Sequence, residues 1–512
     1  MISRLAAGLA ALLLSAAPAF AQTQLKVDTS APIGTIQPEV YGQFLEHVGL
    51  LPYDGIWVGP DSEIPNTDGI RDDVFIALKA LDVPVIRWPG GCYADLYHWR
   101  DGIGPQDSRP LRTNMVWGGT PEPNSFGTHE FFNFAERLGA KTYLNLNLGT
   151  GTTKEAADWL EYLTATKGDR AAERRANGRE APWKVDYIAI GNETWGCGGH
   201  QTATTYADQY ALFASFAMTE GDQPVRIISG SHDGNPEYSD TVLSHPYIAD
   251  LAEGISMHFY TLPTGDWDRK GAATGFPETE WISTMARTLR MDEIITGQEA
   301  MFAAHPDLKP DFGLYVDEWG MWVDKDSPDD PSLLQQNTIR DAVVAGLNLN
   351  IFHAHADSVK MTNIAQMVNV LQAMILTDGP DMVLTPTYHV LEMYKPFMGA
   401  EALPVSLEDG PAYTLGKTSV PALSASAART PDGRLMLALV NADARASHEI
   451  DASAFGATEA KGRMLSGKTM DAHNDFDAPD TVHPVAIKAR AGKRGLILTL
   501  PARSVTVVEL TD

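Results

Sequence analysis

The sequence has few basic residues for its size. Its 512 residues include 39 Lys and Arg against 66 Asp and Glu, a formal net charge of −27. A surface with this excess of acid repels the phosphates of nucleic acids and the headgroups of anionic membranes. The composition therefore argues against nucleic acid and membrane partners, and it weakly favours a neutral or cationic substrate.

Long apolar runs are also scarce, and the exception lies at the N-terminus. Arg4 precedes the run LAAGLAALLLSAAPAFA, which ends in the small-residue pattern Ala19-Phe20-Ala21. This order is typical of a secretory signal peptide, and the run is too short to span a membrane. We therefore expect residues 1–21 to be a signal peptide cleaved after Ala21. The mature protein is expected to be secreted, to the periplasm or to the medium.

Cysteine is nearly absent, since Cys92 and Cys197 are the only two. Two cysteines cannot form a disulfide framework. In an oxidising compartment they could pair with each other, but two separate free thiols fit the sequence equally well. The histidines and cysteines show no metal-ligand spacing such as C-x-x-C or H-x-x-x-H, and no glycine-rich phosphate loop follows a strand. We therefore expect no catalytic metal and no cofactor.

The central part of the chain alternates apolar strands with amphipathic helices. Residues 71–81 place Val74, Leu78 and Leu81 on one helical face, and further helical patterns cover 127–138, 152–163, 204–218 and 337–346. The predicted strands are 41–45, 85–88, 141–148, 188–193, 225–228, 255–260, 314–318 and 351–355. About eight strand–helix units over residues 38–384 predict a closed parallel (β/α)8 barrel of the α/β class.

The pattern changes after residue 385. Short strands at 413–415, 435–440, 495–500 and 504–510 are separated by turn residues, with little helical pattern between them. This arrangement predicts a C-terminal antiparallel β-sandwich, jelly-roll-like, over residues 385–512. Residues 22–37 are expected to lend this sandwich a strand.

Two predicted barrel strands end in a glutamate. DYIAIGNETW runs from an apolar strand into Glu193, and FGLYVDEWG does the same at Glu318. In a parallel barrel, side chains beyond the carboxyl ends of the strands converge on one site. Two facing carboxyls suit glycoside hydrolysis, in which one donates a proton and the other attacks the anomeric carbon. The competing interpretation is that each acid only caps the turn that follows its strand.

Six stretches resemble family 51 of the glycoside hydrolases, the α-L-arabinofuranosidases. They are YGQFLEHVG (41–49), VIRWPGGCYADLYHWRDGIGP (85–105), YIAIGNE (187–193), SMHFY (256–260), YVDEWG (315–320) and NIAQMVNVLQAMILTDG (363–379). The resemblance extends over nearly the whole barrel. The Asn-Glu pair alone is common among related barrels, whereas the block at 85–105 is long and specific. Relatives in this family are often oligomers, so the resemblance leaves a homo-oligomer open.

The resemblance implies roles for individual residues. Glu193 matches the acid/base and Glu318 the nucleophile of a retaining double displacement. The remaining matches are substrate-binding or supporting positions: Glu46 at the floor of the pocket, Arg87 against the nucleophile, Cys92 lining the sugar, Asn192 at the 2-hydroxyl, Tyr260 on the nucleophile, His258 on the same strand, and Gln366 at a sugar hydroxyl. The alternatives are a solvated acid for Glu46, a structural salt bridge for Arg87, inert packing for Cys92 and an ordinary polar helix residue for Gln366. For His258 a structural role is favoured.

The implied activity is a secreted, exo-acting α-L-arabinofuranosidase acting on arabinan, arabinoxylan or their oligosaccharides. One alternative keeps the barrel and both acids in an endo-β-1,4-glucanase or xylanase. Another is a non-catalytic periplasmic oligosaccharide-binding protein. The loops at 53–67 and 194–200 differ from those of many relatives and would border the leaving group. Trp57 and Trp195 in these loops are candidates for stacking on a sugar, with core packing as the alternative.

Overall fold

The computed structural model describes residues 23–325 and 331–512. The predicted signal peptide, residues 1–21, lies outside the described residues and stays a prediction. Within the two described ranges, no helix combines the length and the apolar character needed to cross a bilayer.

A closed barrel of eight parallel strands forms the centre of the molecule. Each strand pairs in parallel with its neighbours along the chain, and the eighth pairs with the first. In chain order they are Gly42–Phe44, Val85–Trp88, Lys141–Leu146, Tyr187–Ile190, Val225–Ile228, Gly254–Thr261, Gly313–Met321 and Val359–Ile364. The barrel confirms the expected fold class, and it brings the carboxyl ends of all its strands to one face.

The strand predicted at 351–355 is wrong, because these residues lie at the end of helix Ile339–Ala354. Every residue of this helix from Ile339 to His353 is buried. Apolar residues therefore occur on all faces of this helix. The sequence lacks the i, i+3, i+4 spacing of an amphipathic helix, which is the pattern that distinguishes a helix from a buried strand. The eighth barrel strand is Val359–Ile364, whose sequence VKMTNI carries three polar residues and gives only a weak apolar signal.

Helices surround the barrel, mostly between consecutive strands. Thr152 caps one of them, since its hydroxyl accepts a hydrogen bond from the Glu155 amide at 3.1 Å. Gly139 ends another in the left-handed conformation, with φ 79°. The α-helices are Asp72–Ala80, Thr128–Leu138, Thr153–Thr164, Gly168–Ala176, Ala203–Phe216, Pro236–Leu243, Ile248–Leu251, Glu278–Thr288, Arg290–Ala304, Ile339–Ala354 and Pro386–Tyr394.

Two sheets make up the C-terminal region, together with strands from the N-terminus. The four-stranded sheet has the order Val405–Glu408, Thr23–Val27, His448–Asp451 and Ile497–Leu500. The seven-stranded sheet has the order Gly34–Thr35, Glu401–Leu403, Leu423–Arg429, Leu435–Asn441, Ser504–Thr511, Glu459–Ser466 and Val485–Arg490. The sheet-rich C-terminal region was expected from the sequence. The exact domain limits, at residues 37, 384 and 385, stay predictions.

The interior of the barrel changes from apolar to polar along its axis. The apolar layer consists of Val85, Tyr143, Ala189, Ile227, Tyr315 and Met361. Two residues further along the second and seventh strands, the same inward face carries Arg87 and Asp317, as strand alternation requires. These two charges approach each other, with Arg87 Nε 3.4 Å from Asp317 Oδ2. A buried polar layer therefore lies between the apolar core and the carboxyl ends of the strands.

Candidate active site

Glu318 faces the inside of the barrel because the seventh strand is irregular. In a regular strand, successive side chains point to opposite faces, so an inward Asp317 would place Glu318 outside. The register with the eighth strand shifts between Val316 and Trp319, and the register with the sixth strand also shifts. Because of these irregularities, both Asp317 and Glu318 reach the interior.

The carboxylate of Glu318 is held by two hydrogen-bond donors and lies against a histidine. Arg87 Nη1 donates to Oε1 at 2.9 Å, and the Tyr260 hydroxyl donates to Oε2 at 2.8 Å. His258 Nδ1 lies 3.3 Å from the same Oε2. Burial raises the pKa of Glu318, and the positive charges of His258 and Arg87 oppose that rise. The side chain is therefore a buried carboxylate with its charge balanced by two cations.

Glu193 stands opposite, just beyond the end of the fourth strand. It adopts a left-handed backbone conformation, with φ 42°. One of its carboxylate oxygens lies within 4.8 Å of one from Glu318. Its side chain is 18% exposed, against 7% for Glu318. The two predicted catalytic acids therefore share one site, and Glu193 is the one more open to solvent.

His258 lies between the carboxylates. Its Nδ1 is 2.8 Å from Glu193 Oε1, and its Nε2 is 3.2 Å from Asp317 Oδ1. Burial alone would lower its pKa, but the charges of Glu318 and Asp317 raise the pKa of His258 to about 10. A pKa this high makes the side chain an imidazolium at neutral pH, and it contacts both glutamates rather than packing in the core.

Asn192 is positioned by two neighbours. Its side-chain oxygen accepts a hydrogen bond from Arg87 Nη2, and its backbone amide donates to Asp95 Oδ2 at 2.9 Å. The side-chain nitrogen of Asn192 is buried and has no protein acceptor. Because Asn192 lines the cavity, this amide group can serve a ligand. Arg87 itself is 1% exposed, and removing it would take away one of the two cations that balance the buried Asp317 and Glu318 carboxylates, typically at a cost of about 3–5 kcal/mol.

Glu46 lies at the floor of the cavity. Its Oε1 accepts from Trp117 Nε1 at 2.7 Å and from the Cys92 amide at 3.0 Å, and its Oε2 accepts from Gln366 Nε2 at 2.9 Å. Burial, with the charge of Glu318, raises the pKa of Glu46 to about 7. A Cβ added at Gly91 would lie 1.9 Å from the Glu46 carboxyl, so this close packing requires glycine.

The cavity between these groups, together with the open space at its mouth, has a volume of about 310 Å³. Its polar lining and its apolar side walls suit a single small neutral sugar. Arg87 and His258 support this lining from behind. The lining consists of Glu46, Gly91, Cys92, Trp117, Asn192, Glu193, Tyr260, Glu318, Trp322, Leu333, Gln366 and Leu371.

A disulfide joins Cys92 to Cys197 across the mouth of this cavity. The alternative of two free thiols is therefore wrong, and no free cysteine occurs in the chain. Sequence could not decide the pairing, because the cysteines are 105 residues apart and meet only when the second and fourth strands close into the barrel.

A row of aromatic rings leads away from the cavity. Trp322 packs on Tyr260 with ring centroids 5.1 Å apart, and Trp267 packs on Trp322 at 5.4 Å. His232 continues the row from Trp267 at 5.7 Å, and Trp195 ends it at 5.3 Å from His232. Trp195 thus lies near the site. Trp57 packs against Phe126 and does not line the cavity.

Several residues at the site were missed from the sequence. Asp317 accepts a hydrogen bond from the Tyr143 hydroxyl at 2.8 Å and pairs with Arg87 and His258, which keep its pKa low despite burial. Trp322 could have been noticed, because it follows the EWG motif by two residues. Trp117 could not, since it lies in the turn between the short strands Arg112–Asn114 and Thr120–Glu122, without any distinguishing pattern.

Two groups of side chains among the described residues are spaced closely enough to hold an ion. One contains Glu193, Cys92 and Cys197, and the other contains Glu193, His258 and Glu318. The sulfurs of the first group are bonded to each other and are not thiolates, which are the metal-binding form. His258 in the second is protonated, which removes its lone pair. These donor sets are poor metal sites, and the expectation of a metal-free reaction stays a prediction.

Two family models match the chain. The α-L-arabinofuranosidase 1 domain covers residues 77–271, and the α-L-arabinofuranosidase C-terminal domain covers residues 317–504. The first match includes Glu193 and the second includes Glu318. Both families bear the name that the sequence motifs had suggested.

Individual relatives agree with these models. The chain is 42% identical to an intracellular exo-α-L-arabinofuranosidase of Bacteroides ovatus, over 98% of this chain and 99% of that protein. The family 51 arabinofuranosidase of Xanthomonas axonopodis pv. citri has 43% identity and a TM-score of 0.92, covering 96% and 100% of the two chains. An arabinose complex from Thermotoga maritima has 28% identity and a TM-score of 0.79, covering 95% and 99%. The chain is an enzyme that belongs to the α-L-arabinofuranosidases of glycoside hydrolase family 51.

Proposed function

We propose that this protein is a secreted, retaining, exo-acting α-L-arabinofuranosidase. It removes terminal arabinofuranosyl residues from the non-reducing ends of arabinan, arabinoxylan or their oligosaccharides. The observation that carries the proposal is the placement of Glu193 and Glu318. Their carboxylate oxygens lie within 4.8 Å of each other across a cavity sized for one sugar. Short spacings, about 5–5.5 Å between carboxyl groups, are typical of retaining glycosidases.

Glu318 is the nucleophile. It is the more buried of the two acids, and the positive charges of Arg87 and His258 favour its ionised form by opposing the rise in pKa that burial causes. The Tyr260 hydroxyl fixes the orientation of its carboxylate. Attack on the anomeric carbon forms a glycosyl–enzyme ester as the bond to the leaving oxygen breaks.

Glu193 is the acid/base. Its greater exposure lets it reach the leaving group at the mouth of the cavity and later a water molecule. In the first step it gives its proton to the departing glycosidic oxygen. In the second it removes a proton from the water that attacks the ester, which releases arabinose with its original anomeric configuration.

Two of the other predicted residues bind the sugar. Glu46, held by Trp117 and Gln366, accepts hydroxyl hydrogen bonds at the floor. The Asn192 amide supplies a contact to the 2-hydroxyl, which strengthens as the ring gains oxocarbenium character. This closed floor favours removal of terminal residues over cleavage within a chain. It is the feature that argues against an endo-β-1,4-glucanase or xylanase, although a bifunctional glucanase–xylanase shares the fold at 14% identity and a TM-score of 0.62.

The leaving-group side is formed by the aromatic row. Trp322, Trp267 and Trp195 present rings at the edge of the cavity, on which sugar units of the departing chain can stack. This surface supports an oligosaccharide or polysaccharide substrate.

Secretion is supported by the N-terminal apolar run and by the disulfide, because cytosolic proteins rarely keep disulfides. The relative from Bacteroides ovatus is named intracellular. Detection of the protein in periplasmic, medium and cytoplasmic fractions, with the N-terminus of the mature chain sequenced, decides between the compartments. A cytoplasmic chain that retains residues 1–21 would contradict secretion. A homo-oligomer stays a prediction from the resemblance.

The mechanism is tested with an aryl α-L-arabinofuranoside, with a soluble β-glucan as the competing substrate. We expect hydrolysis of the arabinofuranoside alone, and NMR of the first product should show retention. Glu318→Ala and Glu193→Ala should each lose several orders of magnitude in rate, with azide rescuing both. The azide product should be inverted for Glu318→Ala and retained for Glu193→Ala. Asp208→Ala, a surface carboxylate that is 69% exposed, is the control.

A non-catalytic binding protein would show no turnover in the parent. An inverting enzyme would show an inverted first product. Parent-like turnover by Glu318→Ala would contradict the assignment of the nucleophile.

A further inference from the structure

We propose that the Cys92–Cys197 disulfide positions the acid/base Glu193, so that breaking it impairs proton transfer selectively. This inference rests on the proposed function of Glu193. Cys197 lies in the loop that follows the fourth barrel strand, and Cys92 lies in the loop that follows the second strand. The bond therefore links the loop of the acid/base directly to the loop that forms the floor of the sugar cavity.

Both sulfur atoms contact the Glu193 carboxylate. Cys197 Sγ lies 3.3 Å and Cys92 Sγ 3.8 Å from Glu193 Oε2. Disulfide sulfurs carry no proton, so these are packing contacts and not hydrogen bonds. The other oxygen, Oε1, is held by His258 Nδ1 at 2.8 Å. The carboxyl group is thus held on one side by an imidazolium and on the other by the disulfide.

The loop carrying Cys197 depends on such attachments. Glu193 begins it in a left-handed conformation, and the Glu193 carbonyl accepts from the amides of Gly196 and Gly198 at 2.7 and 3.0 Å. On the side of the fifth strand, Trp195 Nε1 donates to the Gly230 carbonyl at 3.1 Å. On the side of the second strand, the disulfide is the covalent attachment. Loss of the disulfide would let the glycine-rich segment at residues 196–199 move away from the cavity, because glycine restricts the backbone conformation least.

The same disulfide reaches the substrate floor. The Cys92 amide donates to Glu46 Oε1 at 3.0 Å. One end of the bond therefore supports the group proposed to bind the sugar, and the other end supports the group proposed to protonate its leaving oxygen. Their relative position decides how well the acid meets the glycosidic oxygen, and a misplacement of about 1 Å can cost about a hundredfold in rate.

Two perturbations test the proposal. Cys197→Ala removes the bond and leaves Cys92 in the cavity wall. Dithiothreitol removes it in the parent without any substitution: two electrons and two protons pass to the sulfurs, the S–S bond breaks to two thiols, and the dithiol closes to its cyclic disulfide. Because the chain has no other cysteine, the Cys92→Ala/Cys197→Ala variant is the control for effects of the reductant elsewhere.

The readout is kcat/KM on two arabinofuranosides that differ in their leaving group. A dinitrophenyl group departs without protonation, whereas an alkyl or sugar group needs the acid. For Cys197→Ala and for the reduced parent, we expect a loss of about 10- to 100-fold on the sugar or alkyl substrate. On the dinitrophenyl substrate the loss should be under about threefold. Reoxidation should restore the parent, and dithiothreitol should not change the double variant.

Equal kcat/KM values before and after reduction, on both substrates, would overturn the proposal. So would an equal loss on both substrates, which indicates a general structural role. Melting curves of the oxidised and reduced parent show whether the fold survives. Failure of the proposed function itself would look different, because the oxidised parent would then hydrolyse neither arabinofuranoside.

Discussion

Replacement of Glu46 by glutamine should stabilise the free protein at neutral pH while it weakens catalysis. Glu46 is 3% exposed, and its carboxylate receives three hydrogen bonds but no direct cation. Burial and the nearby charge of Glu318 raise its pKa from 4.5 to about 7. The ionised form is therefore destabilised in the folded state, and the neutral amide of glutamine avoids this penalty.

The free-energy cost of ionising Glu46 in the folded protein follows from the coupling between proton binding and folding. Because the pKa is higher in the folded state than in the unfolded state, the contribution of Glu46 to stability is fully present below about pH 4.5. It is lost as the pH rises through about 7. The difference in pKa corresponds to about 3 kcal/mol in the free energy of unfolding. For a chain of this length, that is about 3 °C in melting temperature.

Glutamine can replace Glu46 because it has the same shape and its amide can find hydrogen-bond partners at the same positions. Its oxygen would accept from Trp117 Nε1 and from the Cys92 amide, as Oε1 does now. Its nitrogen would face Gln366, which donates to Glu46 at present. The Gln366 oxygen is buried without a partner, so rotation of that amide would present an acceptor to the new nitrogen. The shape of the floor is kept, and the charge is the variable that changes.

Unfolding of the parent and Glu46→Gln, in denaturant from pH 4.5 to 8, measures the effect. We expect similar stability near pH 4.5 and an advantage of about 3 kcal/mol for the variant at pH 8. In assays with an aryl arabinofuranoside, kcat/KM should fall by about 10- to 100-fold, since a charged acceptor of sugar hydroxyls is lost. A stability difference that does not change with pH would refute the reasoning. Glu408→Gln, at a surface ion pair, is the control.

Three further predictions concern the surroundings of the acids. His258→Asn removes an imidazolium next to Glu318, so the acidic limb of the kcat/KM profile should move to higher pH by about one unit; an unmoved limb would contradict the assigned charge. Asp95→Ala leaves three buried backbone amides without their acceptor, a larger cost than the burial that raises the pKa of Asp95 to about 6, so denaturant unfolding should show a loss of about 1–3 kcal/mol; unchanged stability would show that these bonds contribute nothing. Trp267→Ala should raise KM about tenfold for an arabinoxylo-oligosaccharide and leave that for an aryl arabinofuranoside nearly unchanged; equal effects would place Trp267 outside the leaving-group side.

The strand predictions were correct where a short apolar run ends at turn residues. They were wrong where a helix is buried on all its faces. The second and fifth strands were predicted at the residues where they occur, Val85–Trp88 and Val225–Ile228. Helix Ile339–Ala354 is enclosed by the barrel and the C-terminal sheets, so no polar face marked it as a helix. Its final turn was therefore mistaken for the eighth strand.

Sequence alone determined the barrel, the sheet-rich C-terminal region and the family, because these follow from periodicity and from long motifs. Through the same motifs it also supplied the two glutamates and most of the hydrogen-bonding groups of the cavity, but not Trp117 or Trp322. Tertiary structure decided what no local pattern contains: the irregularity that turns Glu318 inward, the imidazolium between the acids, and the disulfide over Glu193. Each depends on contacts between segments far apart in the chain, and such contacts exist only once the barrel has closed.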